Sequence, residues 1–348
     1  MTLSALLGIE LPIIQAPMAG VQGSALAIAV SNAGGLGSLP CAMLSPTSLL
    51  AELQALEAGT DRPWNVNFFC HTPPAPNAAR EAAWQAALSP YYAELGIDPA
   101  AIVGGAGRAP FSADIAELLE NFKPPVVSFH FGLPSPELLA RVKSWGSRVL
   151  SSATTVDEAR WLEAHGADAV IAQGLEAGGH RGMFLTEDVT TQIGTMALVP
   201  QLVRAVNIPV IAAGGIADAA GVTAAMARGA AGVQVGTGYL LCPEATTSAL
   251  HRAALVSARA EHTALTRLMT GRPARGMFNR LMKELGPMHA AAPEFPLATA
   301  ALLPLRAAAE ALGRDDFSTL WAGQNASSCR AQAAAELTRN LAAGIFRR

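Results

Sequence analysis

Cysteine, aromatic residues and charge are all scarce in this chain, and each shortage excludes something. The four cysteines, Cys41, Cys70, Cys242 and Cys329, form no C-x-x-C pair, which argues against a zinc site or a thioredoxin-type couple. Reduced, mostly buried thiols are the expectation for such a set in the cytoplasm. Cys70 stands beside His71, but neighbours on an extended chain point to opposite faces, which argues against a thiol–imidazole pair. Charged residues make up only 15% of the chain and sum to −3. Lys and Arg are scattered, so the basic stripe that nucleic acid needs is missing. No H-E-x-x-H and no carboxylate cluster suggests a metal. Apolar runs are broken by Gly, Pro or charge before they reach membrane-spanning length. The start, M-T-L-S-A-L-L-G-I-E-L-P, lacks a basic n-region and a clear cleavage site, so no signal peptide is expected. Neither G-x-G-x-x-G nor a Walker-type G-K-[ST] occurs. A soluble cytoplasmic enzyme with no nucleic-acid or membrane partner is the reading that remains.

Alanine and glycine, by contrast, are plentiful, and short apolar runs alternate with helical patterns. Strands are expected at Ile13–Ala16, Gly35–Leu39, Trp64–Phe69, Val126–Phe131, Arg148–Ala153, Ala169–Gln173, Ile208–Ala213 and Gly232–Val235. Helices are expected between them, with a helical excursion over about 73–122. Such alternation implies parallel strands joined by right-handed crossovers, and eight units is the count of a (β/α)8 TIM barrel. A doubly wound open sheet is the competing architecture. After Tyr239 the strand signal fades. We therefore expect a barrel over 1–240 and a helical region over 241–348 packed on it, supplying a lid and the contact of a homodimer.

The densest local signal is Gln173 to Phe184, Q-G-L-E-A-G-G-H-R-G-M-F, which follows a buried strand and holds no residue that readily continues one. Gly178 and Gly179 let backbone approach a ligand. They deliver His180 and Arg181 beyond a strand's carboxyl end, where α/β folds place their chemistry. Two late strand ends are suited to phosphate. One carries Gly214 and Gly215, and the other Gln234, Val235, Gly236, Thr237 and Gly238; backbone N–H groups and a hydroxyl can converge there. Tight strand-to-helix turns would hold the same glycines without a ligand. Asn67 and Gln173 are amides in apolar strands that need partners, either within the protein or on a heterocycle edge. Met18 and Gly20 would floor such a ring. His130, in V-S-F-H-F-G, ends another strand and reads either as a core histidine or as a second group at the mouth. Phosphate grip, amides and a glycine-flanked histidine together suggest a flavin mononucleotide (FMN) site.

These segments carry a resemblance. Q-A-P-M-A-G (Gln15–Gly20), S-N-A-G-G-L-G (Ser31–Gly37), N-V-N-F (Asn65–Phe68), S-F-H-F-G (Ser128–Gly132), E-A-G-G-H-R-G (Glu176–Gly182), A-A-G-G-I and Q-V-G-T are together similar to nitronate monooxygenases. T-G-R-P-A-R-G (Thr270–Gly276) and L-W-A-G-Q (Leu320–Gln324) extend the likeness. The resemblance implies noncovalent FMN and dioxygen-dependent oxidation of an alkyl nitronate, such as propionate 3-nitronate, to a carbonyl compound and nitrite. It makes His180 the catalytic histidine, in contact with substrate, and His130 a second substrate-binding histidine. Met18, Asn67, Gln173, Gly178, Gly179, Gly214, Gly215 and Gln234 to Thr237 become FMN contacts. Tyrosines that often line the substrate pocket in the family are expected near Pro296, where this chain reads P-L-A-T-A-A-L-L-P. The alternatives are an NAD(P)H-dependent flavin reductase of enoyl thioesters or quinones, which shares A-G-G-H, and a flavin-free lyase binding a sugar phosphate.

Overall fold

In the computed structural model, residues 2–102 and 108–345 are described. Residue 1, residues 103–107 of the expected excursion and residues 346–348 lie outside them. Eight parallel strands pair in the order Ile13–Gln15, Gly232–Val235, Val210–Ala213, Ala169–Gln173, Arg148–Ala153, Val126–His130, Trp64–Phe69 and Gly37–Pro40. They are β1 (Ile13–Gln15), β2 (Gly37–Pro40), β3 (Trp64–Phe69), β4 (Val126–His130), β5 (Arg148–Ala153), β6 (Ala169–Gln173), β8 (Val210–Ala213) and β9 (Gly232–Val235). The ends of that order meet: Ile14 bridges Leu36, and Gln15 N donates to Leu36 O at 2.9 Å. The sheet is thus a closed barrel, as the alternating pattern predicted. Closure leaves no edge strand of the barrel unpaired.

The barrel interior changes character along its axis. Toward the strands' amino ends it is apolar, where Ile14, Leu36, Val126, Leu150, Ile171 and Ile211 pack with Leu3, Leu6 and Leu7. The last three belong to a short helix (Leu3–Leu7) that the sequence reading did not anticipate. Toward the carboxyl ends the buried residues turn polar: Gln15, Ser38, Asn65, Asn67, Ser128, Ser152 and Gln173. A plugged floor and a polar mouth confine any ligand to the carboxyl-terminal face.

Two expectations fail here. Residues 241–345 are not wholly helical, because Thr263–Thr266 (β10) and Ala274–Met277 (β11) form an antiparallel hairpin. Gln173–Phe184 also does contain a strand: Gly179–His180 (β7) pairs with β11, His180 opposite Ala274 and Gly179 opposite Arg275. Neither segment has the period-two apolar pattern of an autonomous strand; each is extended because the other is there to pair with it. The excursion helix (Ala78–Leu95) packs with the helix Ala298–Ala311, where Trp84, Leu88, Tyr91 and Tyr92 share an apolar cluster with Ala298, Leu302 and Leu305. The last helix, Ala334–Ala342, joins the barrel's outer core through Leu337 and Leu341.

Close approach fixes the register of helix Ser24–Asn32 on the barrel. A Cβ at Gly37 would sit 1.9 Å from Ala27 O and 2.6 Å from Ala27 Cα, both backbone atoms that cannot swing away. Gly37→Ala should therefore cost about 3 kcal/mol or more in a denaturant titration. Gly96→Ala, at φ +65° with nothing within 4 Å, should cost no more than about 1 kcal/mol. Equal small effects would contradict this packing.

Candidate active site

The loop after β6 is held from three sides. Gln173 Nε2 donates to His180 O at 2.9 Å, and its Oε1 accepts from Gly182 N at 2.7 Å. His130, ending β4, has Nε2 3.2 Å from the same His180 carbonyl and Nδ1 2.9 Å from Ser152 Oγ. A carbonyl only accepts, so Nε2 carries the proton and Nδ1 accepts a hydrogen bond from the Ser152 hydroxyl. Burial lowers the His130 pKa to about 3, keeping that tautomer neutral. Both nitrogens of His130 are thus committed to protein, and it positions the backbone at His180. Arg181 is fully buried beneath the loop. Its guanidinium donates to Gly174 O and Gln173 O, each at 2.7 Å, and to Gln192 Oε1 at 2.9 Å. It ties backbone together and does not face the mouth, contrary to its expected delivery there with His180.

His180 itself is ringed by Phe69, Phe131, Phe295 and Trp321, at centroid distances of 6.1, 6.0, 5.3 and 5.7 Å. Burial holds its pKa well below the usual histidine range, and the charges of Arg108 and Arg272 push the same way. Its Nε2 lies 2.9 Å from Thr270 Oγ1. If Thr270 donates, Nδ1 carries the proton; if Thr270 accepts, Nδ1 presents a lone pair. A hydroxyl rotation together with a shift of the ring proton from Nδ1 to Nε2 thus exchanges a hydrogen-bond donor for a base at the nitrogen with no partner among the described residues.

Opposite lies a glycine cradle. Gly214 and Gly215 adopt φ +122° and +73°, conformations that L side chains rarely adopt. A Cβ at Gly178 would meet Ala322 C and Gly323 N at 2.6 Å, and one at Gly236 would touch Ala16 Cβ and Met18 Sδ at 3.4 and 3.5 Å. Thr237 Oγ1 accepts from Gly323 N at 2.9 Å and keeps its own proton to donate. The N–H groups of Gly215 and Gly236 find no acceptor among the described residues. Unpaired N–H groups and a hydroxyl lining one cavity can meet an anion such as phosphate without any cationic side chain.

The amides lie along the wall between. Asn67 Nδ2 donates to Ser128 Oγ at 2.9 Å and to Ser128 O at 3.2 Å, which leaves its Oδ1 open. Gln173 keeps one N–H, and Gln234 makes no side-chain hydrogen bond among the described residues. One cavity joins Met18, Asn67, His130, Gln173, Gly178, Gly179, His180, Gly214, Gly215, Gln234, Gly236 and Thr237. Val235 alone of the expected contacts is elsewhere. Its side chain points out of the barrel into the helix-covered core, because neighbours on a strand face opposite sides. Sequence reasoning also missed Phe69, Arg108, His251 and Trp321, which line the cavity, and Phe295 and Thr270, which flank His180. Thr270 and Trp321 lay within motifs noted only for their likeness, whereas Arg108 gave no signal at all. Burial pushes the Cys70 thiol pKa far up, which disfavours the thiolate.

Buried neutral histidines set a sign for stability. Burial lowers His130 to about 3, and His71 and His251 to about 4, against roughly 6.5 in the unfolded chain. Below pH 6.5 the unfolded state binds more protons, so stability is fullest above that pH and declines as pH falls toward 4. Thermal melts across this window should show the decline, and His130→Asn should have a shallower slope than the parent. Parallel slopes would contradict a neutral His130.

Comparison with known proteins places the chain in a family. The family model for nitronate monooxygenase matches residues 1–344. A nitronate monooxygenase from Pseudomonas aeruginosa is 46% identical over 339 residues, 97% of this chain and 96% of the relative. The solved structure of a nitroalkane oxidase from Streptomyces ansochromogenes superposes with TM-score 0.88 at 39% identity, covering 99% of this chain and 97% of that one. FabK from Thermotoga maritima follows with TM-score 0.74 at 29% identity, covering 98% and 94%. The chain belongs to the nitronate monooxygenase family.

Proposed function

We propose that this enzyme binds FMN in the barrel mouth and oxidises alkyl nitronates to a carbonyl compound and nitrite, with dioxygen as final oxidant. The family is flavin-dependent, and the residues present fit the mononucleotide. Gly215, Gly236 and Thr237 would hold the phosphate; Asn67, Gln173 and Gln234 would meet the polar edge of the ring, over Met18. Bound there, the flavin supplies an electron acceptor that dioxygen can reoxidise. The observation that carries the reading is His180, held neutral inside an aromatic ring with one nitrogen facing the same cavity as the anion cradle.

The protein's part is positioning and proton control. A nitronate is already a carbanion equivalent, so no carbon-bound proton has to leave. With Thr270 as donor to Nε2, His180 Nδ1–H can orient the anion. With Thr270 as acceptor, the Nδ1 lone pair can remove the α-proton of a neutral nitroalkane. Phe69, Phe131, Phe295 and Trp321 exclude water and strengthen either hydrogen bond. A cytoplasmic setting is consistent with four thiols free of disulfides. The FabK likeness favours one second reading, reduction of enoyl thioesters at the expense of NAD(P)H.

In air, propyl nitronate should be consumed with release of nitrite and propanal, and absence of nitrite would contradict the reading. His180→Asn should keep its flavin and lose modestly with nitronates, but lose neutral nitroalkane oxidation by roughly 10²-fold or more. Gly236→Val should fold and lose FMN on dialysis, because the branched side chain fills space against Ala16 and Met18 where phosphate would meet backbone. Full flavin retention would remove the phosphate assignment.

A further inference from the structure

One short segment of the C-terminal region laces together three of the strand-end loops. Residues 321–325 read W-A-G-Q-N and form a strap. Gly323 N donates to Thr237 Oγ1 at 2.9 Å, in the loop after β9. Gln324 N donates to Glu176 O at 2.9 Å, in the loop after β6. Asn325 Nδ2 donates to Gly215 O at 2.9 Å, in the loop after β8. Three successive residues thus reach three different loops, two of which form the anion cradle. The fit is close: a Cβ at Gly323 would meet Glu176 O at 2.8 Å.

The side chain of Asn325 does more than bridge. Gly215 O only accepts, which identifies the amide's NH2 end, and Ser328 Oγ donates to its Oδ1 at 2.6 Å. The half-buried amide is therefore held at both ends. One Nδ2 proton is committed to Gly215; the other has no acceptor among the described residues, and Asn325 lines the same cavity as Gly215, Gly236 and Thr237. Drawing Gly215 O onto an amide also occupies a carbonyl that would otherwise repel an anion. We propose that Asn325 binds the cofactor's phosphate, donating its second Nδ2 proton beside the N–H groups of Gly215 and Gly236 and the hydroxyl of Thr237. The strap then completes a cradle whose other members come from the barrel, and helps this chain to select FMN over riboflavin, which lacks the phosphate. This deepens the FMN reading and rests on it for the ligand.

The test titrates the flavin-stripped full chain with FMN and with riboflavin, which share the ring and differ in the phosphate. Asn325→Ala should lose on the order of 10- to 100-fold in FMN affinity and change riboflavin affinity by less than about 2-fold. Asn325→Asp, which sets a carboxylate against the phosphate, should lose more with FMN and again little with riboflavin. Riboflavin binding also reports that each variant has folded. Hydrogen exchange in the parent needs no variant: FMN should slow exchange across the strap more than riboflavin does. Equal losses for the two flavins, unchanged FMN affinity in Asn325→Ala, or equal protection of the strap by both flavins would overturn the proposal. A parent that binds neither flavin removes the FMN reading along with it, whereas tight FMN binding that Asn325→Ala leaves intact removes the role of Asn325 alone.

Discussion

The carbonyl oxygen of His180 is the point on which this site depends. It accepts from Gln173 Nε2 at 2.9 Å and lies 3.2 Å from His130 Nε2, so groups from two strands converge on one acceptor. Immediately below, Arg181 neutralises the carbonyls at the end of β6, and β11 pairs with the two residues that end in His180. A loop with four glycines between Gln173 and Phe184 would otherwise be mobile. The clamps leave the imidazole as the free part of a fixed backbone. Every member is neutral except Arg181, which spends its charge on carbonyls rather than on the cavity.

That arrangement explains the electrostatics of the mouth. The aromatic ring and burial keep His180 and His130 uncharged, and the wall lacks carboxylates among the described residues. Backbone N–H groups and Arg108 supply its positive character. A cavity of that make-up suits the phosphate-bearing cofactor and anionic substrate proposed above, and does not suit a cation.

Much of the barrel was legible from composition and periodicity. Trp64–Phe69, Arg148–Ala153, Ala169–Gln173 and Gly232–Val235 match the expected strands residue for residue, because buried parallel strands are short continuous apolar runs bounded by Gly, Pro or polar residues. His180, Gln173 and the paired glycines were legible because strand ends rarely carry such residues without cause. What escaped was tertiary. Gly179–His180 and Ala274–Met277 become strands only through each other. Phe69 and Phe295 carry no local signal, because nothing in the sequence tells a cage from a core. His130 read as a candidate for substrate, yet its two nitrogens turn to Ser152 and the His180 carbonyl. Arg181 showed its sequence position and hid its direction.

On the proposed function, an electron-rich anion rather than a nicotinamide reduces the cofactor in this cavity. Anaerobic rapid mixing of the flavin-loaded enzyme tests it most directly. Propyl nitronate should bleach the visible flavin absorption within the time of a turnover, while NADH and NADPH should leave it nearly unchanged. Fast bleaching by NADPH with no response to nitronate would contradict the account.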